Sequence, residues 1–333
     1  MKVQMLGLGL AAMLVACGGK ESLPSASQDD TSSNTADDTD TEEPCETAVV
    51  ETTPQSGQTG VYYRDSIEVV FDDDGSSSSI VLYDPEEVVV EAEISWGDGN
   101  LKATITPTDA LEASTAYMLE VEICQSTTLV AFETDDFGSD LDYEPEDLIG
   151  LTFNFDLGGA DYEEPEGLGA VIGLYLSQPL LIGVTDASAD SISLLGAQGI
   201  VDDVTAEVTQ DEDFGTWDFG AADFTSNPYF SSDTDEIIID YNGYEIPIYY
   251  FQLKGTFSSD ATSIGGGHAE GLADSRNMGP LIEQGDDPNA VCELADSLGL
   301  ECEACPDGEV YCMTLIANFD EATLEPGLML TEI

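Results

Sequence analysis

A single histidine, His268, would have to carry any imidazole chemistry this chain performs near neutral pH. It stands in Gly265-Gly-Gly-His-Ala-Glu-Gly271, where nothing local supplies a nucleophilic serine with an orienting aspartate. No GxSxG, HExxH, phosphate-binding loop or dinucleotide fingerprint occurs. Paired carboxylates could hydrolyse glycosides, but among 69 acidic residues the sequence singles out no pair. Cys292, Cys302, Cys305 and Cys312 crowd near the C-terminus, and Cys302-Glu-Ala-Cys305 has the spacing of half a zinc site. With one such motif only, disulfides account for the four better than metal does. Asp274-Ser-Arg276 is the remaining polar constellation, and a buried Arg–Asp pair is preferred there over ligand recognition. On these grounds the chain reads as non-catalytic, with a carboxylate-based hydrolase as the least favoured alternative.

The thiol with the clearest assignment is Cys17. Residues 1–17 carry a basic start at Lys2, an apolar run from Val3 to Val15 and small Ala16 before the cysteine, which is the layout of an export signal. The run is too short for a membrane-spanning helix, which takes roughly 20 residues to cross about 30 Å of hydrocarbon. Leu14-Val15-Ala16-Cys17 resembles the lipobox of bacterial lipoproteins. That resemblance implies a diacylglycerol on the Cys17 thiol, cleavage just before it, and palmitate-type acylation of the new amino terminus. Several acyl chains make a stable anchor. Gly18 and Gly19, in place of the aspartate that marks inner-membrane retention in that family, imply the outer membrane.

Charge sets further bounds. Six basic residues against 69 acidic ones leave a formal net charge of −63, which excludes nucleic acid as a partner and repels anionic headgroups. Membrane lipid is therefore a partner through acylated Cys17 alone. The acidity reads first as a device for solubility in a salty medium. Clustered carboxylates could also hold Ca²⁺, yet Asp72-Asp-Asp-Gly75 and Asp240-Tyr-Asn-Gly243 look like turns rather than EF-hand loops. No other cofactor and no resident metal is expected.

Setting Cys17 aside leaves six cysteines, an even number in a compartment that permits disulfides. Cys45 and Cys124 bracket one region and form the simplest pair there; the connectivity of the C-terminal four stays open.

The elements that must position these groups are nearly all strands. Residues 18–44 are polar and acidic, without a periodic apolar face, and read as a disordered tether. Over residues 45–135 apolar side chains alternate at Ile67, Val69 and Phe71, at Val88 to Ile94, at Leu101 to Ile105 and at Tyr117 to Ile123, with Gly, Asp and Ser turns between. Pro54-Gln-Ser-Gly57, Ile67-Glu-Val-Val-Phe71, Leu111-Glu-Ala-Ser-Thr115 and Tyr117-Met-Leu-Glu-Val121 resemble, in that order, the bacterial Ig-like domains of the S-layer-protein (SbsA) type. An Ig-like β-sandwich is implied, with Tyr117 structural and its hydroxyl tied to backbone.

Residues 136–147 read as an acidic joint, and 148–333 as a second antiparallel β domain, sandwich or barrel, with a Cys-rich cap. Leu151, Phe153, Phe155 and Leu157 alternate with polar partners. Apolar runs follow at Leu168–Leu176, Leu180–Val184, Ile192–Leu195, Ile237–Tyr241 and Tyr244–Leu253. Asn242-Gly243 predicts a tight hairpin turn. One helix is expected from Pro288 to Leu298, N-capped by Asp287 and stopped at Gly299. A closed up-and-down barrel of the lipocalin kind fits the strand count. Tyr249, Tyr250, Phe251, Trp96 and Trp217 read as core at strand spacing, with a ligand groove as the alternative.

The expected protein is thus an all-β lipoprotein of the cell envelope. Its Ig-like module would act as spacer or adhesive domain, presenting the C-terminal domain to an envelope polymer or protein. A ligand-carrying barrel is the alternative, and a deep cavity would favour it.

Overall fold

The computed structural model describes residues 45–333 except 157, 166–177, 203 and 242. The export signal with Cys17, the tether, the run Leu168–Leu176 and Asn242 lie outside the described residues.

Nine strands build the first β unit: β1 (Val49–Thr53), β2 (Gln58–Val61), β3 (Ile67–Phe71), β4 (Ser79–Tyr83), β5 (Val89–Val90), β6 (Ala92–Gly97), β7 (Lys102–Pro107), β8 (Ala116–Ile123) and β9 (Ser126–Thr134). They form two facing sheets, ordered β1-β3-β7-β6 and β2-β9-β8-β4-β5, an Ig-like sandwich. Alternation drives it: Ile67, Val69 and Phe71 from one sheet meet Tyr117, Leu119, Val121 and Ile123 from the other, none more than 5% exposed. The Tyr117 hydroxyl accepts a hydrogen bond from the Glu112 amide at 2.8 Å, as its position at a strand start suggested. Cys45 and Cys124 are bonded, with Cα atoms 5.2 Å apart.

Period two misled in one place. Val88 to Ile94 is not a single strand: β5 pairs with β4 in one sheet and β6 with β7 in the other. Val88 and Ile94 consequently face solvent, while Val90 and Ala92 touch the core. An edge segment that changes sheets loses its face register at the crossing.

The second unit contains β10 (Thr152–Phe155), β11 (Asp161–Glu164), β12 (Leu180–Ala187), β13 (Ser191–Val201), β14 (Val208–Gln210), β15 (Trp217–Asp223), β16 (Tyr229–Tyr241), β17 (Tyr244–Phe257), β18 (Ser263–Asp274), β19 (Glu303–Ala304) and β20 (Val310–Leu324). Strands β10, β12, β13, β15, β16, β17, β18 and β20 follow one another around a barrel, all antiparallel, and β10 pairs back onto β20 through Phe153 with Leu324 and Asn154 with Thr323. The barrel is therefore closed and up-and-down. Closure removes the unpaired edges of the staves that long strands such as β16 and β17 would otherwise expose. Residues 241 and 244 pair across the two-residue turn, and Gly243 has the positive φ of +81° the dipeptide suggested. Phenyl rings and aliphatic side chains point into the interior, while Asp218, Asp223, Asp233 and Glu236 face outward, the inverse of a lipid-embedded barrel. Among the described residues no helix is long and apolar enough to cross a membrane.

Part of the acidic joint is packed. Phe137, within it, lies with Tyr62 against the barrel strand β18: their rings occupy the space where Cβ atoms of Gly265 and Gly266 would stand. Gly266 also holds φ +56°, a conformation open to glycine and strained for other residues. The Tyr62 and Tyr63 hydroxyls meet Thr256 Oγ1 at 2.7 and 3.2 Å. The Arg64 guanidinium sits 3.8 Å from the centre of the Tyr229 ring. The glycine run beside His268 is thus explained by contact with the sandwich.

Asp65 and Asp135 belong to the segments that make this contact. Burial raises both carboxyl groups to about 6. Asp65 keeps atoms in water, so half-buried Asp135 carries the larger share. Because both values lie above the roughly 3.9 of an unfolded aspartate, the folded chain holds protons that the unfolded chain has lost between about pH 4 and 6. Stability should therefore fall as pH rises through that window and recover on acidification. A melting series from pH 7.5 to 5 should show a rising Tm, with a smaller rise in Asp135→Asn; an identical rise in that variant would remove Asp135 from the account.

Candidate functional site

The barrel has two unlike halves. In the half next to the sandwich, Phe153, Phe224 and Phe230 surround Phe257 with ring centres 5.4, 6.0 and 5.4 Å from it, and the interior is solid. In the other half lies a cavity of about 250 Å³. Its walls come from every barrel strand, with Phe155, Phe219, Phe251 and Phe319 as the aromatic belt. An eight-stranded barrel is wide enough for its own side chains to fill it or for one small ligand, and here each half takes a different course.

A cap covers the cavity end. The chain leaves β18 through two short 3-10 turns, Ser275–Asn277 and Gly279–Ile282, and enters helix α1 (Ala290–Ser297). Met278, Leu281, Val291 and Leu294 from these elements face the cavity. The helix begins two residues later than its sequence suggested: Asn289 is the N-cap, and the Asp287 carboxylate accepts from the Asn289 amide at 3.0 Å instead of capping the helix. Gly299, at φ +83°, follows it as expected.

The six cysteines are all paired. Cys292 of α1 bonds Cys302, and Cys305 bonds Cys312 of β20, with Cα separations of 5.6 and 5.1 Å. Cys302 and Cys305 therefore belong to different bridges. Asp274, Cys305 and Cys312 lie close together, but two disulfide sulfurs are not thiolates, and the Asp274 carboxylate is committed elsewhere. Arg276 Nε reaches Asp274 Oδ1 at 2.9 Å and Nη1 reaches Asp307 at 2.7 Å. These bonds raise the Arg276 pKa further, with Asp274 the stronger cause. The constellation pins the cap to β18, which is the structural reading of Asp274-Ser-Arg276.

A shallower cleft of about 350 Å³ lies beside the cap, lined by Asp240, Glu245, Arg276 and Asp286 among others. Its cation is held by Asp274 and Asp307, so what remains for a ligand is acidic. The two turns weighed for Ca²⁺ spend carboxylate oxygens on backbone: Asp72 Oδ1 accepts from the Ala48 amide at 2.7 Å, Asp74 from Ser76 at 2.9 Å, and Asp240 from Gly243 at 2.9 Å. His268 is outside the barrel, with Nδ1 2.8 Å from Asn318 Oδ1 and Nε2 3.6 Å from Glu270. Neither partner is a serine.

Of the aromatic side chains weighed from sequence, Phe251 and Trp217 line the cavity, Tyr250 is 61% exposed on a bulge, and Trp96 packs on Phe71 in the sandwich. Two polar groups in the cavity wall stand out. Gln198 and Trp217 are 3% and 4% exposed, and neither Gln198 Oε1 nor Trp217 Nε1 has a hydrogen-bond partner among the described residues. Gly196, which pairs with Trp217 across β13 and β15, has no side chain to obstruct the indole. Sequence reading missed Gln198. The available signal was period two along β13, where Ile192, Leu194, Gly196 and Gln198 share the inward face and only the last is polar.

Fold and cavity together define an Ig-like sandwich followed by a closed barrel with a hollow, capped end. Residues 40–129 match the bacterial Ig-like domain family. No curated protein matches the chain. Among solved structures, CopC from Methylosinus trichosporium OB3b aligns over 27% of this chain and 93% of its own at 16% identity and a TM-score of 0.23. The S-layer protein rSbsC aligns over 82% of this chain and 51% of its own at 9% identity and a TM-score of 0.21. At those scores neither neighbour bears on function.

Proposed function

We propose that this protein is an exported lipoprotein, held at the outer membrane by acyl chains on Cys17, whose barrel carries a small apolar ligand. The Ig-like sandwich is its spacer and base. The observation that carries the reading is the cavity: about 250 Å³ of uncharged, largely apolar space within a closed barrel, just under the roughly 300 to 1,000 Å³ usual for small-molecule sites. It favours a carrier over a purely adhesive module, which would need no hollow. The role is read as non-catalytic, because no carboxylate, imidazole or cation lines the cavity among the described residues.

Two measurements test it. The neutral dye 1-aminonaphthalene, of about the size the cavity admits, should bind saturably with blue-shifted emission, and Ala273→Phe, which places a ring in the cavity wall, should weaken binding by at least about tenfold while keeping the melting temperature within a few degrees. Equal binding by the two proteins would end the carrier reading. In the native cells, Cys17→Ser should move the protein from the membrane to the soluble fraction; a mature chain beginning elsewhere than at an acylated Cys17 would end the anchor.

A further inference from the structure

Resting on the carrier reading, we infer that the ligand bears one neutral hydroxyl group, which accepts a hydrogen bond from Trp217 Nε1–H and donates one to Gln198 Oε1. The argument starts from cost. A buried polar atom without a partner destabilises the fold, and native proteins rarely keep one. Here two occur on one wall of one cavity. Gly196 pairs directly with Trp217, and Gln198 lies two residues further along β13, so the two side chains are diagonal neighbours on the same face, about 7–8 Å apart at the backbone. Two side chains so placed can converge on one small group between an indole N–H and an amide oxygen.

The types of the orphan atoms then select the group. Trp217 can only donate, so the ligand must accept. Gln198 Oε1 accepts, so the ligand must also donate. A hydroxyl does both with a single oxygen. An ionised carboxylate cannot donate, and it would enter a cavity with no cation among its described lining residues, in a chain of formal net charge −63. An unpaired buried charge is heavily penalised. The rest of the wall, with Ile182, Ile246, Ile248, Leu253, Phe219 and Phe251, asks for hydrocarbon. At about 250 Å³, and at protein-like packing density, the body of the ligand is on the order of ten non-hydrogen atoms. The class is therefore a medium-sized aliphatic or terpenoid alcohol.

The test is calorimetric titration of the whole soluble protein, Cys17→Ser, with decan-1-ol, its methyl ether and decanoate at pH 8. The alcohol should bind at least about tenfold more tightly than the ether, which accepts but cannot donate, and at least about a hundredfold more tightly than decanoate. Gln198→Leu should bring alcohol and ether to within about threefold of each other. Trp217→Phe should weaken both. Each variant's fold is checked by circular dichroism, and because Gln198→Leu removes an unpaired buried carbonyl oxygen it should melt no lower than its parent. If alcohol and ether bind equally to the parent protein, or Gln198→Leu leaves their ratio unchanged, the hydroxyl assignment fails while the carrier reading stands. If decanoate binds best, the assignment fails in the same way. If none of the three binds, and the neutral dye does not either, the carrier reading itself falls.

Discussion

Replacing Phe257 by alanine is expected to lower the stability of the barrel by about 3–5 kcal/mol, the usual cost of emptying a phenylalanine site in a well-packed core. Phe257 is fully buried and lies among Phe153, Phe224 and Phe230. Those neighbours come from β10, from the turn after β15 and from β16, so no single strand can shift to refill the space. Interiors of this density relax only partly around a lost ring. For a domain of this size each kcal/mol moves the melting point by about 2–4 °C, so a fall on the order of 10 °C is expected. Denaturant titration of the parent and Phe257→Ala gives the difference directly. A loss below about 1 kcal/mol would mean that this half of the barrel is not solid. The same substitution on the hollow side, Phe219→Ala, should cost less, because a ring bordering existing space has fewer partners to lose.

The second large effect is expected at the contact between sandwich and barrel. Gly266→Ala places a methyl group where the Tyr62 ring lies and forces an L-residue to φ +56°. The backbone cost alone is about 1–2 kcal/mol. The collision cannot be relieved by a flexible chain end, because the Tyr62 ring is held by its hydroxyl at Thr256 Oγ1 and by Tyr63, whose ring centre is 5.1 Å away. The ring must therefore leave, and with it the packing that joins the two halves of the molecule. Calorimetry should show one transition for the parent and two for Gly266→Ala, and small-angle scattering should show a larger radius of gyration for the variant. Tyr62→Ala in the Gly266→Ala background should recover much of the collision cost, leaving only the backbone strain. An unchanged single transition in Gly266→Ala would show that the contact does not couple the halves.

The acidity also acquires a physical account. With few cations to pair with, many carboxylates bond to amides of their own turns. Asp202 accepts from the Val204 and Thr205 amides at 2.9 and 2.7 Å, Asp223 from Thr225 at 2.9 Å, and Asp260 from the Thr262 amide at 3.1 Å. These amide bonds are the main cause that lowers the pKa of Asp202 and Asp223, and for Asp260 the hydroxyls of Thr262 and Ser258 lower it more than the amide does. Such charge-assisted turns let an acidic chain organise its loops without salt bridges. They also explain why the two candidate Ca²⁺ loops look like turns in the sequence and are turns in the fold.

What the amino-acid order determined by itself is whatever depends on neighbours along the chain. Alternation of apolar side chains marked the sandwich and barrel strands, because a strand presents every second residue to one face. The Asn-Gly dipeptide marked the long hairpin, the even cysteine count implied disulfides, and the Leu-Val-Ala-Cys motif raised the expectation of an anchor at Cys17. Tertiary structure alone decided what depends on residues far apart. Barrel closure rests on Phe153 meeting Leu324, and no local pattern distinguishes a closed meander from an open one. The pairing of Cys292 with Cys302 and Cys305 with Cys312 depends on where α1 docks. The glycines at 265 and 266 carry no local sign of their role, which is to leave room for Phe137 and Tyr62. The cavity was the least legible of all. Space is what several strands fail to fill together, and the partnerless state of Gln198 and Trp217 is a property of that space rather than of either residue's neighbours in sequence.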